Sequence, residues 1–256
     1  MPSVDLNADM GESYGAWKMG NDAALLDIVT SANIACGGHA GDADVMAATM
    51  RIAHDNGVGI GAHPGFMDIA GFGRNRMSVP RATLQNQVRY QVAASVGMAR
   101  SLGAEVRHLK LHGALANMAS EDVDLARDLY EAALGVAPDL IVMVLPATEQ
   151  QRAAEALGCA WAGEIFADRA YNDNATLVDR SLPGAVIHDA ALAGKRMVEM
   201  VQAGAIITES GKHIPTRIDT ICLHGDTAEA VQIATAVRSE LETAGVTLAQ
   251  FKGHKG

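Results

Sequence analysis

Four histidines, His39, His63, His112 and His224, each follow a short run of apolar or small residues, and most have glycine or a carboxylate beside them. The runs cover 31–36, 58–62, 106–111 and 218–223. A fifth run, Val4-Asp-Leu-Asn-Ala-Asp9, ends in acid and amide groups instead. Imidazole carries protons near neutral pH and ligates metals, while carboxylates act as bases or orient them. In a barrel or open sheet of parallel strands the C-terminal ends share one mouth, where residues distant in sequence converge. The repeated placement predicts one active site at that mouth.

Asp5, Asn7 and Asp9 recur with period 2, so they face one side of a strand, and Glu12 falls in the glycine-bounded loop that follows. Three polar groups on an inward face cost roughly 1–3 kcal/mol each if unpaired. Either function or a structural Asp/Asn network holding the Gly11 turn must compensate. His39 stands among Gly37, Gly38 and Gly41, where a strand gives way to a helix that Asp42 can cap. Backbone NH groups at such an entrance hold carboxylates or oxyanions. Cys36 and Cys222 each precede a strand-end histidine, but neither setting is a nucleophile signature, and cysteine is commonly a small buried hydrophobe.

Residues 61–74 read as a glycine-punctuated lid bringing Asp68 and Arg74 toward the mouth, with a packed Ω-loop as the alternative. Lys110 and His112 share a strand face by their spacing, which sets a cation beside a proton carrier. Asp168 and Arg169 stand at a further strand end. For both pairs the alternative is an ordinary ion pair or a solvated end. His224-Gly-Asp226 completes the set, Asp226 being equally a candidate helix N-cap.

The elements that position these groups alternate between strand and helix patterns. Helical stretches are expected at 21–29, at 42–54, after Pro80 to about Leu102 with Gly103 as the stop, at about 121–134, 148–157, 189–202 and 227–243. Leu140–Leu145 is continuously apolar, as a parallel strand buried on both faces must be. Residues 205–216 read as a hairpin turning at Ser210-Gly211, an insertion rather than a barrel element. No linker, low-complexity tract or repeat is visible. The pattern predicts one domain over 1–256, an α/β fold in the form of a (β/α) barrel of about seven strands.

Composition narrows the function classes. With 49% hydrophobic residues, 4% aromatic, 26 Gly and 12 Met, the core should be aliphatic and closely packed around small residues. A net charge of −10 argues against nucleic acid as a partner, since that affinity comes from neutralising phosphates. Cys36, Cys159 and Cys222 form no CxxC pair and no even disulfide framework, which points to a reducing compartment. No signal-peptide pattern opens the chain and no apolar run reaches about 18 residues. A cytoplasmic protein without a membrane partner is expected.

Six ordered blocks carry a resemblance: Asp5-Leu-Asn-Ala-Asp-Met-Gly-Glu12, Ala32 to Asp42, Gly61-Ala-His-Pro-Gly65 with Gly71-Phe-Gly-Arg74, His112-Gly-Ala-Leu115, Phe166-Ala-Asp-Arg169, and Cys222-Leu-His-Gly-Asp226. Together they resemble the LamB/YcsF family. Where that family has Lys-Pro-His-Gly-Ala-Leu-Tyr-Asn, this chain has Lys110-Leu-His-Gly-Ala-Leu-Ala-Asn117. The resemblance implies a seven-stranded barrel related to the glycoside hydrolase and polysaccharide deacetylase barrels. It also implies the A subunit of an ATP-dependent 5-oxoprolinase, opening 5-oxoproline to glutamate with partner subunits B and C.

The expected division of labour gives Asp9, His39, His63, Lys110 and His112 catalytic work. Asn7, Glu12, Arg74, Asp168, Arg169, His224 and Asp226 then contact substrate. The resemblance implies ATP as co-substrate of the complex. This chain has no Gly-x-x-x-x-Gly-Lys-Ser/Thr loop, which leaves other nucleotide sites open, and the partners are expected to take part in ATP activation. Two other readings stay open. One is a metal-dependent deacetylase or amidohydrolase with a divalent ion on Asp9, His39 and His63. The other is a noncatalytic subunit that binds substrate.

Overall fold

The computed structural model describes residues 2–224 and 229–255. Among these, seven parallel strands close into a barrel: β1 (Ser3–Met10), β2 (Ser31–Ala35), β3 (Gly59–His63), β4 (Val106–Leu109), β5 (Ile141–Val144), β6 (Trp161–Phe166) and β9 (Thr220–His224). Each pairs with the next, and β9 returns to β1 with Asp5 opposite Thr220 and Asp9 opposite His224. The closed seven-strand barrel is the expected fold. Its helices are α1 (Asp22–Leu26), α2 (Ala43–Asp55), α3 (Arg81–Ser101), α4 (Gly113–Glu121), α5 (Val123–Leu134), α6 (Glu149–Leu157), α7 (Ala190–Ala203) and α8 (Ala230–Thr243).

Local chemistry sets the helix ends. Asp42, Thr148 and Asp189 accept backbone NH groups of the first turns of α2, α6 and α7, which satisfies donors that have no partner inside the helix. The carboxylate at the α2 entrance is therefore Asp42's own, and its second oxygen also accepts Gly15 NH at 2.7 Å. Between 113 and 134 there are two helices rather than one. Asp122 ends α4 and caps α5 by accepting Leu125 NH, so the chain turns there.

Two further elements close the barrel ends. After α7, strands β7 (Ala205–Ile207) and β8 (His213–Pro215) form an antiparallel hairpin outside the barrel. Its turn holds the β6–α7 loop: Thr208 and Ser210 hydroxyls donate to Asp173 at 2.7 Å each, and Glu209 NH donates to Tyr171 O. At the opposite end, β10 (Thr247–Leu248) extends the sheet beside Ser3 and Val4. The chain after it plugs the barrel floor. Phe251 packs with Met143 and Ala162 there, and Arg107 donates to Gln250 Oε1 at 2.6 Å.

Candidate active site

Strand parity turns Asp5, Asn7 and Asp9 inward, and a chain of hydrogen bonds joins them. Thr30 and Ser31 hydroxyls donate to Asp5 Oδ1 at 2.6 and 2.7 Å, and Thr220 Oγ1 donates to Asp5 Oδ2 at 2.5 Å. Asn7 Nδ2 donates to Thr220 Oγ1 at 2.7 Å; Asn33 Nδ2 donates to Asn7 Oδ1 at 2.7 Å and to Asp9 Oδ1 at 2.9 Å. His108 Nε2 lies 2.8 Å from Asn33 Oδ1 and donates to it. Gly61, across from His108, is required here, because a Cβ would press into the Nε2 edge of the imidazole ring. Asn7 is fully buried in this ladder and lies below the cavity.

Above the ladder Lys110 gathers the charges. Its Nζ is 2.8 Å from Asp9 Oδ1, 2.8 Å from Glu164 Oε1 and 2.9 Å from Cys222 Sγ. The Glu164 contact brings a second carboxylate to the same ammonium. Burial opposes the charge on Lys110, but Asp9, Cys222 and Glu164 outweigh it and lift the ammonium pKa well above its ordinary value. Burial would likewise raise Asp9, yet His63 and Lys110 hold its carboxyl well below the usual range. For Glu164 burial wins, and its pKa is raised. Asp9 is thus a fixed negative charge paired with a fixed positive one.

The histidines converge beside this pair. His63 ends β3 and its Nε2 is 3.4 Å from Asp9 Oδ2. His112, at the N-cap of α4, places Nδ1 3.0 Å from His63 Nε2. His39 stacks on His112 with centroids 3.5 Å apart, and its Nε2 meets Glu12 Oε1 at 3.2 Å. Burial, then the neighbouring histidines, holds His39 and His112 well below the imidazole range, so both are neutral. Gly73, in the loop 64–80, permits this packing at φ +62, since a Cβ would press on His39 Cβ and the His112 ring.

A cavity of about 560 Å³ opens over the cluster, with Asp9, Glu12, His63, Lys110 and His112 reaching it from the barrel. Arg74, Arg169, Arg180 and His224 line it as well. His224 Nδ1 donates to Asp168, both carboxylate oxygens lying at 2.8 Å, and Arg180 donates to His224 Nε2 at 3.1 Å. Arg169 is braced by the loop it enters, with Nη2 donating to Val178 O at 2.6 Å. His39 is completely buried behind its neighbours. Asp68 turns away to accept Gly71 NH and the Asn75 amide, and the loop reaches the cavity through Arg74 and Arg76. Cys36 is buried and its thiol is pushed up to about 12 by burial, which leaves it a poor nucleophile. Asp226 lies outside the described residues.

Three participants escaped the sequence reading. Glu164 has the same strand parity as Phe166 and Asp168, and a lone acid within an apolar strand was a usable signal. Asn33 sits two residues before Ala35 on β2, in register with Asp9, and only strand pairing reveals that. Arg180 comes from an irregular loop, where no periodicity announces direction.

The LamB/YcsF family model matches residues 4–256. A protein of Ruegeria pomeroyi, named as the A subunit of 5-oxoprolinase, is 67% identical over 252 residues, covering 98% of this chain and 100% of that one. One of the same name from Rhodopseudomonas palustris is 50% identical, covering 98% and 99%. A crystal structure of a lactam utilization protein from Thermus thermophilus superposes with a TM-score of 0.91 at 39% identity, covering 97% of this chain and 100% of that one. A deacetylase structure, T48, at TM-score 0.51 and 13% identity shares the fold alone. The chain belongs to the LamB/YcsF family.

Proposed function

We propose that this chain is the A subunit of a 5-oxoprolinase, a hydrolase that opens the cyclic amide of 5-oxoproline to give glutamate. The carrying observation is 67% identity across the full length of a relative of that name. The cavity fits the chemistry. Its arginines, Arg74, Arg169 and Arg180, suit the carboxylate that substrate and product both carry, in a protein whose net charge of −10 would otherwise repel it. Glu12, Asp168 and His224 border the same space.

A five-membered lactam is a poor electrophile with a poor amine leaving group. We therefore assign ATP, with subunits B and C taking part, the phosphorylation of its amide oxygen, and give this barrel the hydrolytic end. Water adds to the carbon, the C–N bond breaks, and a second water converts the acyl phosphate to the carboxylate and phosphate. Lys110, held charged by Asp9, stabilises negative charge on the attacked carbon's oxygen; the weak thiol contact to Cys222 is the one it releases to do so. Asp9 Oδ2, the oxygen not bonded to Lys110, faces His63 and orients the attacking water. His224, with Nδ1 fixed by Asp168, takes a proton from the attacking water on Nε2 as Arg180 lets go of it. It passes that proton to the departing nitrogen, which leaves as the amine of glutamate. The free cysteines support work in the cytoplasm. Among the described residues no helix is long and apolar enough to cross a membrane.

The test is product analysis with 5-oxoproline and ATP, comparing the chain alone with the chain plus both partner subunits. The complex should release glutamate in step with ATP hydrolysis, and the chain alone should do neither. Efficient ATP-dependent glutamate formation by the isolated chain would refute the division of labour, and none by the complex would refute the activity.

A further inference from the structure

The tautomers of His63 and His112 follow from their backbone partners. His63 Nδ1 lies 2.8 Å from the Lys110 carbonyl oxygen, and His112 Nε2 lies 2.8 Å from that of Phe72. A carbonyl only accepts, so both of these nitrogens carry hydrogen. The remaining nitrogens, His63 Nε2 and His112 Nδ1, then present in-plane lone pairs to each other at 3.0 Å. Two lone pairs so close repel unless an electrophile is shared between the rings. A proton or a cation can be that electrophile.

The surroundings favour a cation. Glu12 Oε1 stands 3.7 Å from His112 Nδ1, and donor atoms of Glu12, His39, His63 and His112 all lie within 4.8 Å of one another. A shared proton, with His63 as the imidazolium facing Asp9 Oδ2, satisfies the two rings and their outer nitrogens, but it does not account for the Glu12 donor converging with them. Metal-bound histidines characteristically give their other NH to a carbonyl or carboxylate. Two imidazole nitrogens on adjacent corners of an octahedral site, each about 2.1 Å from the ion, are about 3.0 Å apart, the spacing found, whereas a tetrahedral pair would stand about 3.4 Å apart. His39 is different. Its Nε2 is directed at Glu12 and its Nδ1 has no hydrogen-bond partner, so no acceptor fixes it as a ligand.

We propose that His63 Nε2, His112 Nδ1 and the Glu12 carboxylate bind one divalent first-row transition-metal ion at the barrel mouth, with His39 as the positioning residue for Glu12. Two imidazoles and one carboxylate suit Zn²⁺ and its neighbours rather than Mg²⁺ or Ca²⁺, which take oxygen sets. Glu12, His63 and His112 all line the cavity, so the ion has an entry path and open positions for water. Of the ligands expected from the sequence, His63 stays. Asp9 commits Oδ1 to Lys110 and Asn33 and reaches His63 with Oδ2, but it lies outside the Glu12 group of donors that converge within 4.8 Å, and His39 serves Glu12. The inference rests on side-chain geometry and not on the reaction assigned above.

The experiment uses the full chain, stripped with chelator and titrated with Co²⁺ and then Zn²⁺ in the absence of substrate and ATP. One equivalent of Co²⁺ should bind with visible ligand-field absorption and be displaced by Zn²⁺. In ¹⁵N-histidine NMR, saturating Zn²⁺ should shift one imidazole through Nε2 and another through Nδ1, a mixed signature that scattered surface histidines do not give. His63→Ala and His112→Ala should each abolish the stoichiometric site, whereas His39→Ala should retain it with affinity lowered about 10–100-fold. No stoichiometric binding by the wild-type chain would overturn the proposal. So would binding that survives in folded His63→Ala and His112→Ala. Should those variants fail to fold, wild-type NMR decides, and Zn²⁺ shifts lacking the mixed pair overturn it. Since occupancy is read without substrate, its failure leaves the 5-oxoproline reading standing.

Discussion

Below the level of Asp9 the barrel interior holds Asp5, Asn7, Ser31, Asn33, His108 and Thr220; at its mouth it holds Asp9, Glu12, His39, His63, Lys110 and His112. Both sets are polar and buried, and both include aspartate and imidazole, but the lower one adds hydroxyls and amides and the upper one adds charges. In the lower layer each carboxylate or amide meets a hydroxyl, amide or imidazole that complements it, and Asp5 alone takes three hydroxyl donors. At the mouth, lone pairs oppose each other and two carboxylates converge on one ammonium. A polar layer whose acids and amides are all paired, with His108 Nδ1 the one ring nitrogen left without a partner there, gives the barrel a rigid floor, whereas an arrangement that a ligand or proton must complete is poised for chemistry. Buried polarity therefore does not locate the site; incomplete pairing does.

The comparison breaks hardest at Lys110. Lys110→Met removes the one cation between Asp9 and Glu164 and leaves buried acids uncompensated, a change expected to cost about 3–5 kcal/mol. Denaturant unfolding should show that loss together with weaker conversion of 5-oxoproline by the complex. Unchanged stability would mean that the acids hold a proton and need no counter-charge. Asp9→Asn is gentler on the fold, because an amide still fits between Asn33 and Lys110. It should lower turnover by about 10²–10⁴-fold with little change in melting temperature. If melting temperature and turnover collapse together, the mouth is as structural as the floor.

This difference explains what the sequence could reveal. Period-2 spacing of Asp5, Asn7 and Asp9 exposed an inward polar face, and the histidines marked strand ends, so the barrel and the mouth were legible. The spacing could not separate Asn7, locked in the ladder, from Asp9, which reaches the cavity, because both share one strand face. That division depends on depth along the barrel axis. Nor could it show that His39 lies behind His112, since loop conformation rather than strand parity places it. The plug formed by Gln250 and Phe251 follows a two-residue strand, too short to leave a periodic pattern.

The lower layer has its own pH signature. Burial raises the Asp5 pKa from 3.8 to about 6, against the opposing influence of Thr220, Thr30, Ser31 and Arg107. A carboxyl raised in the folded state holds its proton longer there than in the unfolded chain. Its stabilising contribution is therefore full below about pH 4 and is lost as pH rises toward about 6. A shift of this size corresponds to about 3 kcal/mol. Unfolding of wild type and Asp5→Asn, compared from pH 4 to 7, should show wild type losing ground relative to the variant across that window and not above it. Parallel curves would mean that Asp5 stays ionised on its three hydroxyl donors, much as Asp9 does on Lys110.

Packing in the lower layer supplies the smallest and sharpest test. His108 reaches Asn33 only because Gly61, its neighbour on β3, has no side chain, and the ring is backed by Phe251 with centroids 5.2 Å apart. Burial, with Arg107 and Lys110 adding to it, pushes the His108 pKa down to about 3, so the ring stays neutral and cannot escape by charging and seeking water. Gly61→Ala must therefore displace either the strand or the ring, and about 1–3 kcal/mol of destabilisation is expected. The cause is separable by a double-mutant cycle with His108→Ala. Once the imidazole is gone, the added methyl group enters the vacated space, and the cost of Gly61→Ala should shrink or reverse, a coupling of about 0.5–3 kcal/mol. A cost that persists undiminished in the His108→Ala background would place the strain in the β3 backbone and would deny His108 its part in fixing the floor beneath the site.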